Sequence, residues 1–259
     1  MMKKVLCYWK LFVVVGMLLS RTIEADEPLV GTAERPLRIA LLSGSGEYES
    51  AVTLPVWKKK LEAEYHVSCD LLQAEQEIRI DGLERLKDAD LAVLFTRRIK
   101  MPVEELGPLK AYVASKKPII GLRTASHGFQ SYLEFDKEVL GGNYQNHYGK
   151  GEPTTIKLIP EAKEHPVLKG VIRERPWKSE YSMYRTAPLA EDCVPLLMAS
   201  SPAADREHPA AWVRESEGRR VLYATLGGRT DFDSPEFQTL LINGVSWSTR
   251  IPLETLKKP

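Results

Sequence analysis

Residues 117–130 read KPIIGLRTASHGFQ, and no other stretch restricts the fold so tightly. Pro118-Ile119-Ile120-Gly121-Leu122 is too short for a helix, is rich in branched aliphatic residues and gives way abruptly to polar ones, the pattern of a strand buried on both faces. Thr124 or Ser126 then offers an N-cap, so a helix is expected to begin there. A buried strand running into a tight turn and a helix would aim backbone N–H groups and the positive helix end at the turn residues. Open α/β sheets hold their ligands beyond the carboxyl ends of the strands, which nominates Arg123, Ser126 and His127. The plainer alternative is that Arg123 and His127 tie down a surface loop.

The same pattern recurs along the chain. Apolar runs at 37–42, 67–72 and 91–95 read as strands. Helices are expected over 53–64, with Pro55 in the first turn, over 81–88 and over 102–115. Strands follow at 154–159, 194–199, 211–214 and 220–225, then a last helix over 234–248 with Ser234 as its N-cap. Strands that are apolar throughout and alternate with helices imply an α/β fold: a doubly wound, mostly parallel sheet with helices on both faces, in a single domain over 37–250.

Three strand-end loops carry polar side chains: 43–49, 96–98 and 123–127. The first, Ser-Gly-Ser-Gly-Glu-Tyr-Glu, lacks the GxGxxG spacing and the Lys-Ser/Thr of a phosphate loop, and its glutamates would repel an anion. It reads as a strand-to-helix turn lending polar groups to a site. Arg97 and Arg98 directly follow a buried strand, so one of them must find a partner, for which Glu47 or Glu49 is placed. Residues 140–149, LGGNYQNHYG, form a long loop that is either a lid or an excursion covering the sheet. Trp177, Tyr181 and Tyr184 suit stacking on a flat apolar face, or packing of the sheet edge.

The first residues differ from the rest. Lys3, Lys4 and Lys10 flank an apolar run at 11–19 that is shorter than the roughly 20 residues of a spanning helix. Residues 1–25 therefore read as a signal peptide, with Ser20 and Ala25 as cleavage positions, 26–36 as a linker and 251–259 as a tail. An uncleaved N-terminal anchor is the alternative; either way the domain is expected outside the cytoplasm, periplasmic or secreted, with no stable membrane span after cleavage. Basic and acidic side chains number 36 and 35, and no basic block follows the N-terminus, which argues against a nucleic-acid partner. Self-association stays open. Cys69 and Cys193 remain after cleavage, as buried thiols or a disulfide. The five histidines, His66, His127, His147, His165 and His208, show no metal-ligand spacing, and no cofactor motif is present.

Several motifs taken in order carry a resemblance: KPIIGLRTASHGF, LGGNYQNHYG, HPVLKGV, HPAAWVRESEGRRVLYATLGG and FQTLLINGVSWS. From Leu37 to Trp247 the chain resembles the trehalose-utilisation (ThuA-like) domain family, which implies the class I glutamine amidotransferase-like fold, a relative of the flavodoxin-like arrangement, and a role in carbohydrate utilisation. LFTRRIKMP followed by GLRTASHGF is similar to an exported bacterial subgroup. That fold keeps a cysteine nucleophile after its KPxxGx strand, and the resemblance places Arg123 there; a guanidinium cannot attack a carbonyl. Relatives commonly carry histidine at that position and at Gly228, so this chain departs from them twice.

A polar sugar site fits the remaining residues best. Vicinal hydroxyls need bidentate donors and acceptors plus an aromatic platform. Arg97, Arg98, Arg123, Ser126, Asn143 and Asp231 are candidate ligand contacts, with Tyr144 and Tyr181, and with Tyr148 and Trp177, as platforms. His127 or His147 is the candidate general acid or base, with Glu47 as partner. No Gly-x-Ser-x-Gly elbow is present for a serine nucleophile. Two functions follow as expectations: an exported enzyme acting on a sugar derivative, or a noncatalytic binding or accessory module using the same cleft.

Overall fold

Apolar runs too short for helices and flanked by punctuating residues should stack as central strands, each dividing its side chains between two helical layers. A computed structural model, describing residues 29–149, 151–171 and 177–259, has that arrangement. The strands are β1 (Leu37–Gly44), β2 (Val67–Glu75), β3 (Arg79–Ile80), β4 (Leu91–Thr96), β5 (Ile119–Leu122), β6 (Asn146–His147), β7 (Thr154–Leu158), β8 (Trp177–Ser179), β9 (Tyr184–Arg185), β10 (Cys193–Ser200), β11 (His208–Ser216) and β12 (Arg219–Ala224). The helices are α1 (Ser50–Glu64), α2 (Gly107–Ala114), α3 (Pro235–Thr249) and the short α4 (Leu253–Leu256).

The main sheet runs β3-β2-β1-β4-β5-β12-β11-β10-β7-β8. From β2 to β12 every pairing is parallel. Beyond β12 the sheet continues through antiparallel strands. Alternate residues go to opposite faces: Leu37, Ile39 and Leu41 pack with Leu54 and Trp57 of α1 and Phe237 of α3, while Ala40 and Leu42 pack with Leu109 and Tyr112 of α2. The sheet is thus covered on both sides by one chain folded as a single domain.

The last helix starts as its sequence dictates, with the Ser234 hydroxyl accepting from the Phe237 amide at 3.4 Å and Pro235 in the first turn. The helix expected over 81–88 is a 3-10 helix, Leu83–Asp88, and three further elements differ from expectation, each for a local reason. Helix α1 begins at Ser50, so Pro55 lies inside it; the Ser50 hydroxyl accepts from the Ser45 amide at 2.8 Å and bonds Ser43 Oγ at 3.0 Å, drawing the helix start onto the end of β1. The segment expected as one helix from 102 splits into a 3-10 turn, Val103–Leu106, and α2, the break falling where Pro108 supplies no amide. After β5 there is no α-helix but a 3-10 helix, Arg123–His127, without a side-chain cap. Thr124 donates its hydroxyl to Ser45 Oγ at 3.0 Å and Ser126 donates to the Arg123 carbonyl at 3.4 Å, so both hydroxyls tie the turn to its surroundings, and neither caps the helix.

Within 140–149 the short strand β6 pairs with β9 as a separate ribbon. Cys69 and Cys193 are free thiols packed with opposite helical layers, and burial pushes them up to about 12 and about 11. The signal-peptide expectation for 1–25 lies outside the described residues; among those, no helix is long and apolar enough to cross a membrane.

Candidate functional site at the strand ends

The carboxyl ends of β1, β4, β5 and β12 lie side by side, and each feeds a short polar turn. β1 leads into a 3-10 turn holding Tyr48. β4 ends at Thr96, and its neighbours are held fast: the Arg97 amide donates to the Gly44 carbonyl at 2.8 Å and the Arg98 amide to the His127 carbonyl at 2.9 Å. β12 leads to Gly227-Gly228, whose amides donate to the buried Asp231 carboxylate at 2.8 and 3.0 Å. Burial pushes Asp231 above the usual carboxylate range although those amides and Ser179 pull the other way.

Arg123 is the centre. It leaves β5 with φ +42, and its side chain is folded inward, leaving the residue 2% exposed. Nη1 donates to the Thr225 carbonyl at 2.8 Å; Nη2 donates to Tyr48 Oη at 3.2 Å and to the Ser182 carbonyl at 3.3 Å. The guanidinium carbon lies 4.1 Å from the Tyr48 ring, 4.7 Å from Tyr184 and 5.2 Å from Tyr181. The Tyr223 hydroxyl donates to the Arg123 carbonyl. Burial opposes the charge, but Tyr184, Tyr48 and Asp231 outweigh it and hold the guanidinium above its ordinary value. The rings act as cation–π faces, so Arg123 fastens four strand-end segments together.

His127 lies on the outer side of this nest. Its Nδ1 is 3.1 Å from Ser126 Oγ, and its ring stacks on Tyr144 with centroids 4.2 Å apart. Burial, then the charges of Arg98, Arg97 and Arg123, push His127 down to about 3, so the ring is neutral near pH 7. Tyr144 is held by its amide, which donates to Asp136 Oδ2 at 2.7 Å; burial pushes Asp136 up to about 6. The other Asp136 oxygen has no partner among the described residues and lies where a β-carbon on Gly142 would come within 2.4 Å. Glycine at 142 is therefore what lets the loop lie against that carboxylate.

The sequence matches the ThuA profile, trehalose utilisation, over residues 41–248. The chain belongs to the ThuA family. No curated protein matches it by sequence. Its fold is similar to that of a ThuA-like protein of Bacteroides uniformis (TM-score 0.63, 16% identity, covering 87% of this chain and 94% of that one). It is also similar to a ThuA-like protein of Parabacteroides merdae (TM-score 0.65, 17% identity, covering 83% and 90%). Agd3, a carbohydrate deacetylase, is similar over 85% of this chain and 33% of its own (TM-score 0.54, 11% identity). At these identities the likeness concerns the fold.

Within this ThuA domain, the sequence-nominated residues divide. Glu47 pairs with Arg97 at 2.6 Å, where Glu77 joins at 3.8 Å; Glu47 is thus the partner foreseen for an arginine, and the close partner of His127 is Ser126. Arg98, Arg123, Ser126, His127, Tyr144, Tyr181 and Asp231 all belong to the strand-end turns or the loops packed on them. His147 is exposed on the β6–β9 ribbon, its Nδ1 3.0 Å from the Gly149 carbonyl. Asn143 spends its amide on the Ala187 carbonyl at 3.4 Å. Trp177 is buried against Phe237, and Tyr148 bonds Asp205 and His208, so neither is a platform in the crevice.

Sequence reasoning missed Tyr48, Tyr223, Asp136 and Glu77. Tyr48 had a signal, since it stands in the loop at 43–49; the others had none. At position 228 of this ThuA chain a β-carbon would fall 1.9 Å from the Tyr181 ring, so Tyr181 fills the room beside Gly228. Among the described residues no three His, Cys, Asp or Glu side chains converge as metal donors. A cleft of about 210 Å³ lies beside the crevice, between α1 and Phe232, but its cations are already engaged, Arg229 by Glu49 and Lys60 by Gln238. The unspent chemistry is at the strand ends.

Proposed function

We propose that this ThuA-family chain binds a sugar or sugar derivative in the strand-end crevice and acts there by recognition. The observation that carries the reading is Arg123. It stands on the turn where an attacking side chain would have to be, and it is buried and protonated, its two terminal nitrogens bonded to carbonyls and a tyrosine hydroxyl. A guanidinium has no lone pair to attack with, so thiol-type glutaminase chemistry has no nucleophile here. His127 is a feeble base, because a group that titrates near 3 holds protons weakly at neutral pH. What the crevice does offer is polar side chains at its mouth, Glu47, Arg97 and Arg98, beside the Tyr144 ring, a combination suited to hydroxyls and a sugar's apolar face.

Catalysis on a sugar derivative is the second reading, favoured by the Ser126 Oγ–His127 Nδ1 contact at 3.1 Å. Calorimetric titration of the full chain with neutral sugars, sugar acids and keto-sugars, followed by product analysis, separates the two. Recognition predicts saturable binding with the sugar recovered unchanged. Turnover that disappears in His127→Ala while binding persists would establish the second reading, and the absence of any carbohydrate binding would sink both. Export belongs to the same proposal, resting on the basic and then apolar residues at 3–19. N-terminal sequencing of the protein from culture fluid or periplasm should begin near residue 26; an intact Met1 in the membrane pellet would mean an anchor instead.

A further inference from the structure

The mouth of the crevice is electrically uneven. On the side of β1 and β2, Glu47 and Glu77 both face Arg97, and Glu77 also accepts from the Gly46 amide at 3.0 Å. Two carboxylates share one guanidinium there. On the side of β5 the situation reverses. Arg98 is exposed, and among the described residues its guanidinium has no hydrogen bond and no carboxylate partner. Its backbone is nonetheless immobilised: φ is +48, the amide is bonded to the His127 carbonyl, and the flanking Ile99 amide donates to Gly128 at 2.8 Å. A left-handed arginine clamped between two strand ends costs conformational energy that a freely waving surface arginine would not. It is also the cation that acts most strongly on the His127 ring, and it acts on Tyr144 as well.

We propose that the sugar bound in this crevice is an acid, whose carboxylate pairs with Arg98 while its hydroxyls face Glu47 and its ring lies near Tyr144. The inference rests on the recognition reading above and names its ligand class. A planar carboxylate matches the two-pronged guanidinium. A phosphate fits less well, because phosphate sites gather several backbone N–H donors at the start of a full helix or in a glycine-rich nest, and the turn after β5 is a five-residue 3-10 helix, Arg123–His127, containing no glycine. The carboxylates of Glu47 and Glu77 fix the orientation, since they repel an anion on their side and accept hydroxyl protons.

The test uses the full chain at low ionic strength, with calorimetric and thermal-shift titration against glucuronate, galacturonate and gluconate, the neutral parents glucose and galactose, and glucose 6-phosphate. At least one sugar acid should bind while its neutral parent and the phosphate do not, and added salt should weaken it. Arg98→Gln should raise its Kd by about ten-fold or more, the effect of losing a hydrogen bond to a charged group. Lys59→Gln, a matched charge loss on the exposed face of α1, should leave Kd within about two-fold. A neutral parent binding as tightly as its acid, a phosphate binding better, or an Arg98→Gln protein that binds unchanged would overturn the assignment while leaving a sugar site standing. No binding of any of the six would bring down the recognition reading with it.

Discussion

Arg97 and Arg123 follow adjacent strands and live in opposite surroundings. Arg97 meets two carboxylates at the rim of the crevice, half-buried, its side chain 28% exposed. Arg123 is 2% exposed, and its hydrogen bonds go to carbonyls and a phenol. In water a charge pair gains little over its hydrated halves; in the interior every donor needs an acceptor, because the unbonded alternative is costly. The outer arginine can therefore be altered at small cost to the fold, whereas the inner one fastens the strand ends that make the crevice.

That contrast can be broken most directly at its centre. Arg123→Ala should remove about 3 kcal/mol or more of stability, lowering Tm by on the order of 10 °C, because it opens a cavity among three tyrosines and orphans buried carbonyls. A thermal melt near wild type would show that the nest closes without its guanidinium. The sequence places Arg123 on a strand-end turn, as a ligand contact or the tether of a surface loop; its burial puts the side chain in the interior instead.

Asp136 sharpens the contrast from the anionic side. Its folded-state value is raised, from 3.8 to about 6, so the stability it contributes is fully present below pH 4 and is lost as pH rises through about 6. The loss amounts to about 2–3 kcal/mol. Asp136→Asn should flatten denaturation midpoints across that window, and an unchanged profile would assign the slope to another group.

His127 acts with the opposite sign. Its value is depressed, from 6.5 to about 3, so its contribution is present above pH 6.5 and is lost as pH falls toward 3. Histidine NMR should show its ring resonances constant from pH 8 down to pH 5, and a midpoint near 6.5 would mean the ring is solvated. The smallest effect belongs to the outer pair: Glu47→Gln should cost under about 1 kcal/mol, read from urea midpoints, and a larger loss would make the mouth of the crevice structural.

The strands and the strand-end crevice were legible because continuous apolar runs and polar punctuation are local signals. Leu91 to Phe95 needs no distant residue to declare itself a buried strand. The nest around Arg123 was not, because its walls come from far along the chain: Tyr48 is 75 residues away and Tyr223 is 100. The turn after β5 also depends on distant residues: Thr124 is a sound capping residue by local rules, yet in the fold its hydroxyl donates to Ser45, 79 residues distant.

The contact between Gly228 and Tyr181 also sets an order on substitution. A side chain gained first at 228 meets the Tyr181 ring head-on, whereas Tyr181 can shrink first, uncovering one face of Arg123 while the rest of its contacts hold. A histidine at 228 needs position 181 to change first. Substitution by single steps should find Gly228→His damaging alone and tolerated once Tyr181→Ala is in place, so the two positions behave as a linked pair.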